Sequence, residues 1–333
     1  MKRSRKMALA ALLLSAAPHI AAYAQQAASG ASGAGYPNKP LRFVVGLSAG
    51  GATDMIARHI GQKLHETLGQ PVIVDNRAGA AGSIAGAIVA KAPADGYTLL
   101  AISSSFAINP SLYELQFDAV RDFAAVSQIA QAPFLLVANP ALRTESVKDL
   151  IAAAKAKPGA LYFSSGGNGG SGHMAGELFK RMSDIRVDHV PFRGGSPALA
   201  AVMSGEVQFT FSAIVAGLQQ WRTGRVRALG VTSIKRSKAA PDVPTIAEAG
   251  VPGYQVLTWY GILAPAGTPR DVVAKLNAAV AKIVRLPDVA EKLLSDGAEP
   301  VGDKPAEFGR HLADEVNRFR RLTKDIGLKA EKI

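Results

Sequence analysis

The sequence predicts an α/β fold built as two lobes, each a mostly parallel sheet flanked by helices. Three observations predict it. Short apolar runs alternate with stretches of helical periodicity along the chain, the pattern of layered α/β folds. A strand, a loop of small residues and a helix start occur together twice, once in each half. The first copy is Leu41-Arg42-Phe43-Val44-Val45-Gly46-Leu47-Ser48-Ala49-Gly50-Gly51-Ala52-Thr53-Asp54. The second is Leu161-Tyr162-Phe163-Ser164-Ser165-Gly166-Gly167-Asn168-Gly169-Gly170-Ser171-Gly172-His173. Finally, two apolar segments, 125–130 and 256–264, fit neither unit and read as strands that leave the first lobe and return to it, a two-strand hinge.

Taken in order, the pattern predicts strands over 41–45, 72–75, 97–102, 134–138, 161–164, 188–190, 207–211 and 227–232. The helix after the first loop carries Ile56, Ile60, Leu64 and Leu68 at four-residue steps, and Gly69 stops it. Thr53 or Asp54 is its expected N-cap. The helix after the second loop carries Met174, Leu178, Phe179 and Met182, with Ser171 as the expected cap. Late helices follow from Val272, Val273, Leu276, Val280 and Ile283, and from Phe308, Leu312, Val316 and Phe319. They are expected to pack back on the first lobe.

The chain of 333 residues opens with Met1-Lys2-Arg3-Ser4-Arg5-Lys6, an apolar run and Ala22-Tyr23-Ala24, which together read as a secretory signal over 1–24. An Ala/Ser/Gly-rich leader over 25–35 follows. The expected organisation is then 36–130 for the first part of lobe one, 131–256 for lobe two, and 257–333 for the return to lobe one. There is no cysteine, so disulfides, thiolate catalysis and cysteine-held metals are excluded. No histidine pair has metal spacing, and neither a metal nor a cofactor is expected. The formal charge is +12, of which four units leave with the signal. The remaining cations are scattered and lack interleaved aromatics, so nucleic acid is not an expected partner. They fit an anionic ligand or simply a solvated face.

Each loop imitates an enzyme motif. Gly46-Leu47-Ser48-Ala49-Gly50 matches the G-x-S-x-G elbow of α/β-hydrolases, which would make Ser48 a nucleophile in an exported serine hydrolase. A triad also needs an acid and a well-placed histidine. His59 and His65 follow too closely, and His311 is expected to be exposed. Gly167-Asn168-Gly169-Gly170-Ser171-Gly172 matches G-x-G-x-x-G, but its entry, Ser164-Ser165-Gly166, is longer and more polar than a pyrophosphate turn needs. Small loops at helix starts instead suit an anion, through backbone N–H groups and hydroxyls. Ser164, Ser165, Asn168 and Ser171 are placed to hydrogen-bond a carboxylate. His173 opens its helix as a cap, a packing group or a ligand contact. Val190-Pro191-Phe192-Arg193-Gly194-Gly195-Ser196 is a third such junction, where Arg193 either pairs a carboxylate or stays exposed. Ser103-Ser104-Ser105 ends another strand, with Asn109 beyond it. Trp259-Tyr260 lines a cleft or packs between lobes.

With these residues laid out, the chain from Tyr36-Pro37 to about Phe319 resembles the Bug receptors, the extracytoplasmic solute-binding proteins of tripartite tricarboxylate transporters. The resemblance is carried by Tyr36-Pro37-Asn38-Lys39-Pro40-Leu41-Arg42, Gly50-Gly51-Ala52-Thr53-Asp54, Asp75-Asn76-Arg77-Ala78-Gly79 and Asp95-Gly96-Tyr97-Thr98. Val190-Pro191-Phe192-Arg193-Gly194, Pro241-Asp242-Val243-Pro244-Thr245 and Ala264-Pro265-Ala266-Gly267-Thr268-Pro269 continue it. It implies a two-lobed periplasmic binding protein fold that closes on a small carboxylate. It also implies a non-enzymatic protein, expected as a periplasmic monomer that meets membrane transporter subunits transiently. Carried over, it puts Ser48, Ala49, Gly50, Gly51 and Thr53 at the ligand. Ser164, Gly169, Ser171 and His173 lie nearby, and Ser104, Ser105, Phe192 and Arg193 contribute. Where many members carry an Asp after the 207–211 strand, this chain has Ser212-Ala213, which favours simple or aromatic carboxylates over amino acids.

Overall fold

The computed structural model describes residues 35–47, 49–192, 194–325 and 327. The expected signal over 1–24 and almost all of the leader lie outside them, as do Ser48 and Arg193.

Ten strands form one continuous sheet among the described residues. In chain order they are β1 (Leu41–Val45), β2 (Val72–Asn76), β3 (Thr98–Ser103), β4 (Phe123–Ala138), β5 (Tyr162–Ser165), β6 (Asp188–Pro191), β7 (Phe209–Ala213), β8 (Arg227–Val231), β9 (Leu257–Pro265) and β10 (Glu299–Pro300). The order across the sheet is β2-β1-β3-β9-β4-β7-β5-β6, with β8 and β10 also pairing β4. Parallel pairing is confined to β2-β1-β3 on one side and β7-β5-β6 on the other. All pairs around β4 and β9 are antiparallel.

The expected strands over 125–130 and 134–138 are one strand, the 16-residue β4. Proline cannot donate to a ladder, yet Pro133 lies within this strand. It sits where β4 changes partners. Pro133 closes the register with Leu257 of β9, and Phe134 opens the register with Ala213 of β7. The first half of β4 serves one part of the sheet and the second half the other. Chain and sheet cross together here: Val256 N–H donates to Thr232 O at 3.0 Å, and β9 starts at the next residue.

The helices that matter for the site are α1 (Ala52–Leu68), α2 (Ser83–Ala90), α3 (Ser105–Leu112), α4 (Val147–Ala156), α5 (Ser171–Ser183), α6 (Gly195–Ser204), α7 (Ile214–Arg222), α8 (Arg270–Ile283), α9 (Pro287–Ser295) and α10 (Pro305–Asp325). In α1 the four-residue spacing turns Ile56, Ile60 and Leu64 into the core, and Gly69 ends the helix in the left-handed conformation at φ 73°. Met182 of α5 departs from expectation: it is exposed, while Met174 and Phe179 are buried.

Each part of the sheet has a core on both faces. On the first part, one core gathers Phe43, Ile60, Leu99, Ile262 and Leu276, and the other Val44, Phe106, Trp259, Phe308 and Phe319. The late helices α8 and α10 supply residues to these two cores. On the second part, Phe163, Phe179, Phe209 and Tyr254 form one core and Leu199, Val202, Leu218 and Val231 the other. Trp259 packs rather than lining a cleft, edge-on to Phe308 at 5.5 Å. His311 is half-buried, not exposed, with its ring 5.4 Å from Trp259.

Gly261 is required where α10 crosses β9. A Cβ there would fall 2.2 Å from Phe308 Cζ. Gly261→Ala is therefore expected to destabilise the fold by about 1–3 kcal/mol through overpacking. Denaturant unfolding measures it, and an unchanged midpoint would refute this packing.

Candidate functional site

The loops after β1 and β3 share a small pocket lined by Gly46, Leu47, Ser103 and Ser105, the loops after β5 and β6 touch at Gly166 and Gly194, and Ser104 meets Ser171 across the two parts of the sheet. Open α/β sheets place ligands beyond the carboxyl ends of strands. Three of the helices that follow, α1, α5 and α6, start on Gly51, Gly170 and Gly194, and none has a side-chain cap. The expected caps are corrected accordingly: Thr53 and Asp54 lie inside α1, and Ser171 is the first residue of α5. By contrast, Ser146 caps α4 by accepting the Asp149 N–H at 3.1 Å. A glycine cap leaves first-turn N–H groups free for another acceptor.

The first loop is held by Asp54, whose side chain is almost fully buried. Its carboxylate accepts the Gly50 N–H at 2.8 Å, Arg58 Nε at 3.0 Å and Asn76 Nδ2 at 2.9 Å. Asn76 Nδ2 also donates to Leu47 O at 3.1 Å, so both ends of the loop tie to one amide. Burial alone would push the Asp54 carboxyl up. The hydrogen bonds from Arg58, Gly50 and Asn76, with the Arg58 charge, outweigh it and hold the group below the usual carboxylate range. The Gly50 N–H is thus engaged internally, while Ala49, Gly50 and Gly51 remain exposed and Thr53 is buried.

The second loop is held by two histidines. His173 Nδ1 accepts the Gly169 N–H at 3.0 Å, which places the proton of the neutral ring on Nε2. His189 Nε2 lies 2.7 Å from Ser165 Oγ, which in turn accepts the Gly167 N–H at 3.2 Å. The rings stack with centroids 3.9 Å apart. Burial, then the neighbouring His173, push His189 down to about 4, so it stays neutral. His173 is therefore a loop anchor, and the Ser165 hydroxyl is engaged within the loop. Ser164 departs from its expected role. It is fully buried and donates to Ala198 O at 2.9 Å, pinning α6 to β5. Phe192 is half-buried against the core beneath α6 and α7.

The third group joins the two parts. Ser104 Oγ, at the end of β3, lies 2.8 Å from Ser171 Oγ at the start of α5, and donates to Thr258 Oγ1 of β9 at 3.1 Å. Nearby, Leu112 of α3 approaches Gly169 so closely that a Cβ there would lie 2.0 Å from Leu112 Cδ1. Ser105 is turned away, with its hydroxyl 2.9 Å from Ser103 Oγ and 3.4 Å from Ala81 O. Asn109 Nδ2 shares that carbonyl at 3.0 Å.

The structure therefore brings Ser104, Gly169, Ser171 and His173 together, while the exposed residues 49–51 stand at the head of α1, with no hydrogen-bond contact to them among the described residues. Asp54, Asn76, His189 and Thr258 were missed as site residues. Asp54 and Asn76 carried a signal, since each stands in a motif of the resemblance. Nothing local marked Thr258, which reaches Ser104 across 154 residues of chain.

The family model for the tripartite tricarboxylate transporter family receptor matches residues 56–328. The chain belongs to this family of receptors. Protein BugT of Bordetella pertussis is 36% identical over 297 residues, covering 88% of this chain and 91% of that protein. Among solved structures, R. palustris Rpa4515 with adipate matches with a TM-score of 0.78 at 37% identity, over 89% of this chain and all of that one. MatC from Rhodopseudomonas palustris, with bound malate, matches with a TM-score of 0.73 at 32% identity, over 86% and 99%. The two-lobed binding-protein fold and the Bug resemblance hold, and this receptor is not an enzyme. The hydrolase reading of Ser48 has no support in a family of receptors, and His59 lines a shallow pocket with Leu293 of α9 and Asp296 just beyond it. The residues described contain no helix long and apolar enough to cross a membrane.

Proposed function

We propose that this receptor captures a small carboxylate between its two lobes in the periplasm and delivers it, as a monomer, to the membrane subunits of a tripartite transporter. The lobes are read as 36–130 with 257–333, and 131–256. One observation carries the reading: donor groups from both lobes converge, with Ser104 and Ser171 within 2.8 Å of each other beside the uncapped start of α5. Hydroxyls and helix N-termini recognise a carboxylate without a buried cation, so little charge must be desolvated. The adipate and malate in the two related structures support the same ligand class. The exposed loop 49–51 and Thr53 at the head of α1 supply the first-lobe contacts, with Ser48, Phe192 and Arg193 as further contributors.

The mechanism is population shift. A ligand that touches both lobes favours the closed arrangement over the open one by its differential contacts. The crossings at Pro133 and Val256, where the chain passes from one part of the sheet to the other, are where the backbone flexes. Calorimetric titration with adipate, malate and glucose tests the reading. Binding of a carboxylate and not of the sugar is expected, and failure of both acids and other small carboxylates overturns it. Ser104→Ala removes one inter-lobe hydroxyl and is expected to weaken carboxylate binding about tenfold, the worth of one hydrogen bond. The same titration reads it, with unchanged circular dichroism as the control for folding.

A further inference from the structure

The paired histidines beneath the second loop are not explained by ligand contact. His173 is buried, yet it stands in the first turn of α5, where the helix dipole disfavours a cation. Its Nδ1 is an acceptor for Gly169 N–H. That bond exists only while the ring is neutral. A proton on Nδ1 would set two donors against each other at 3.0 Å. Gly169 has little freedom to adjust, since it is held at φ +71° with Leu112 of the other lobe against it.

We infer that His173 is a positioning residue for solute binding: its neutral imidazole fixes Gly169 and thereby aims the start of α5 into the cleft, and its protonation releases the loop and the solute. The inference rests on the cleft proposed above.

The charges around His173 set the balance. Glu177, one turn along α5, places Oε1 3.7 Å from His173 Nε2 and favours the cation. Lys180, also on α5, competes for the same oxygen at 2.8 Å. Burial raises the Glu177 carboxyl, but the His173 and Lys180 contacts outweigh it and keep it ionised. From β6, His189 stacks on the ring and stays neutral, so it adds no charge beside His173. From β5, Phe163 covers His189 at 4.8 Å, and Lys180 Nζ lies 5.8 Å from the Phe163 ring. The protonated form therefore exchanges the Gly169 bond for a stronger pairing with Glu177. That exchange couples pH to loop geometry.

The test compares wild type with His173→Asn, whose Oδ1 offers an acceptor near the Nδ1 position but takes no proton. Adipate affinity is read by calorimetry from about pH 8 down to about pH 5, across the histidine range. Adipate's own titration cancels in the ratio of the two proteins. Whatever affinity the variant has at the upper end, its value is expected to stay level with pH apart from adipate's own titration, whereas wild type is expected to lose about tenfold relative to it toward the lower end. Parallel profiles overturn the inference. The Gly169 amide resonance of the ligand-free protein is followed over the same range. A titration present in wild type and absent in His173→Asn supports the clasp even where adipate does not bind, a result that would count against the adipate reading alone. An amide indifferent to pH in wild type overturns the clasp whatever adipate does.

Discussion

Gly169→Val is expected to lower carboxylate affinity by about ten- to a hundredfold while leaving a folded protein. Two independent causes act at this position. The backbone lies at φ +71°, where a β-branched residue is strained. A new Cβ also lands 2.0 Å from Leu112 Cδ1, on the facing lobe. The first cause disturbs the loop and its bond to His173. The second wedges the lobes apart at the point where Ser104 meets Ser171. The two are separable. Leu112→Ala vacates the space, so the double variant is expected to regain the part of the affinity lost to the wedge, and the remaining deficit measures backbone strain. Calorimetry with adipate on the two single variants and the double variant provides the cycle. Wild-type affinity in Gly169→Val would remove the second loop from the site.

The sequence reading succeeded where one segment determined one element. β1 matches its expected span because its residues alternate between neighbouring cores, and α1 follows its four-residue apolar spacing to Gly69. It was weaker where an outcome depended on a distant partner. The segments 125–130 and 134–138 were read as separate strands, yet they are one, β4, which changes neighbours between Pro133 and Phe134. Ser164 stands in a loop-like run of small residues, but its hydroxyl belongs to Ala198, brought over it by α6. Periodicity along the chain carries the first kind of information, whereas hydrogen bonds between segments far apart in sequence carry the second. The same distinction divides the site. The glycine-rich loops were legible as helix-start cradles. What the sequence did not show is the pairing that holds them in shape, Asp54 with Asn76 and His173 with His189, which exists because β2 and β6 stand beside the loops.

That division gives Asp54→Ala its expected effect. Removing the carboxylate frees the Gly50 N–H and leaves Arg58 and Asn76 without their shared acceptor. Arg58 is half-exposed and regains water, so the loss is smaller than for a fully buried pair, about 1–3 kcal/mol. Thermal unfolding reads this loss, and adipate affinity is expected to fall with it as the first loop loosens. The pH dependence has a definite sign. The folded protein holds the Asp54 carboxyl below its ordinary value, so the stabilisation is complete above the unfolded value of about 4 and is lost as pH falls through the lowered folded value. Asp54→Asn keeps an acceptor but no charge. Its stability deficit against wild type should be constant near neutrality and shrink below about pH 4. A deficit that persists unchanged into acid would mean that the charge of Asp54 contributes nothing and that its shape alone holds the loop. The two loops then respond to acid through different groups. The first loses a carboxylate's grip only in strong acid, whereas the second loses its anchor when an imidazole gains a proton.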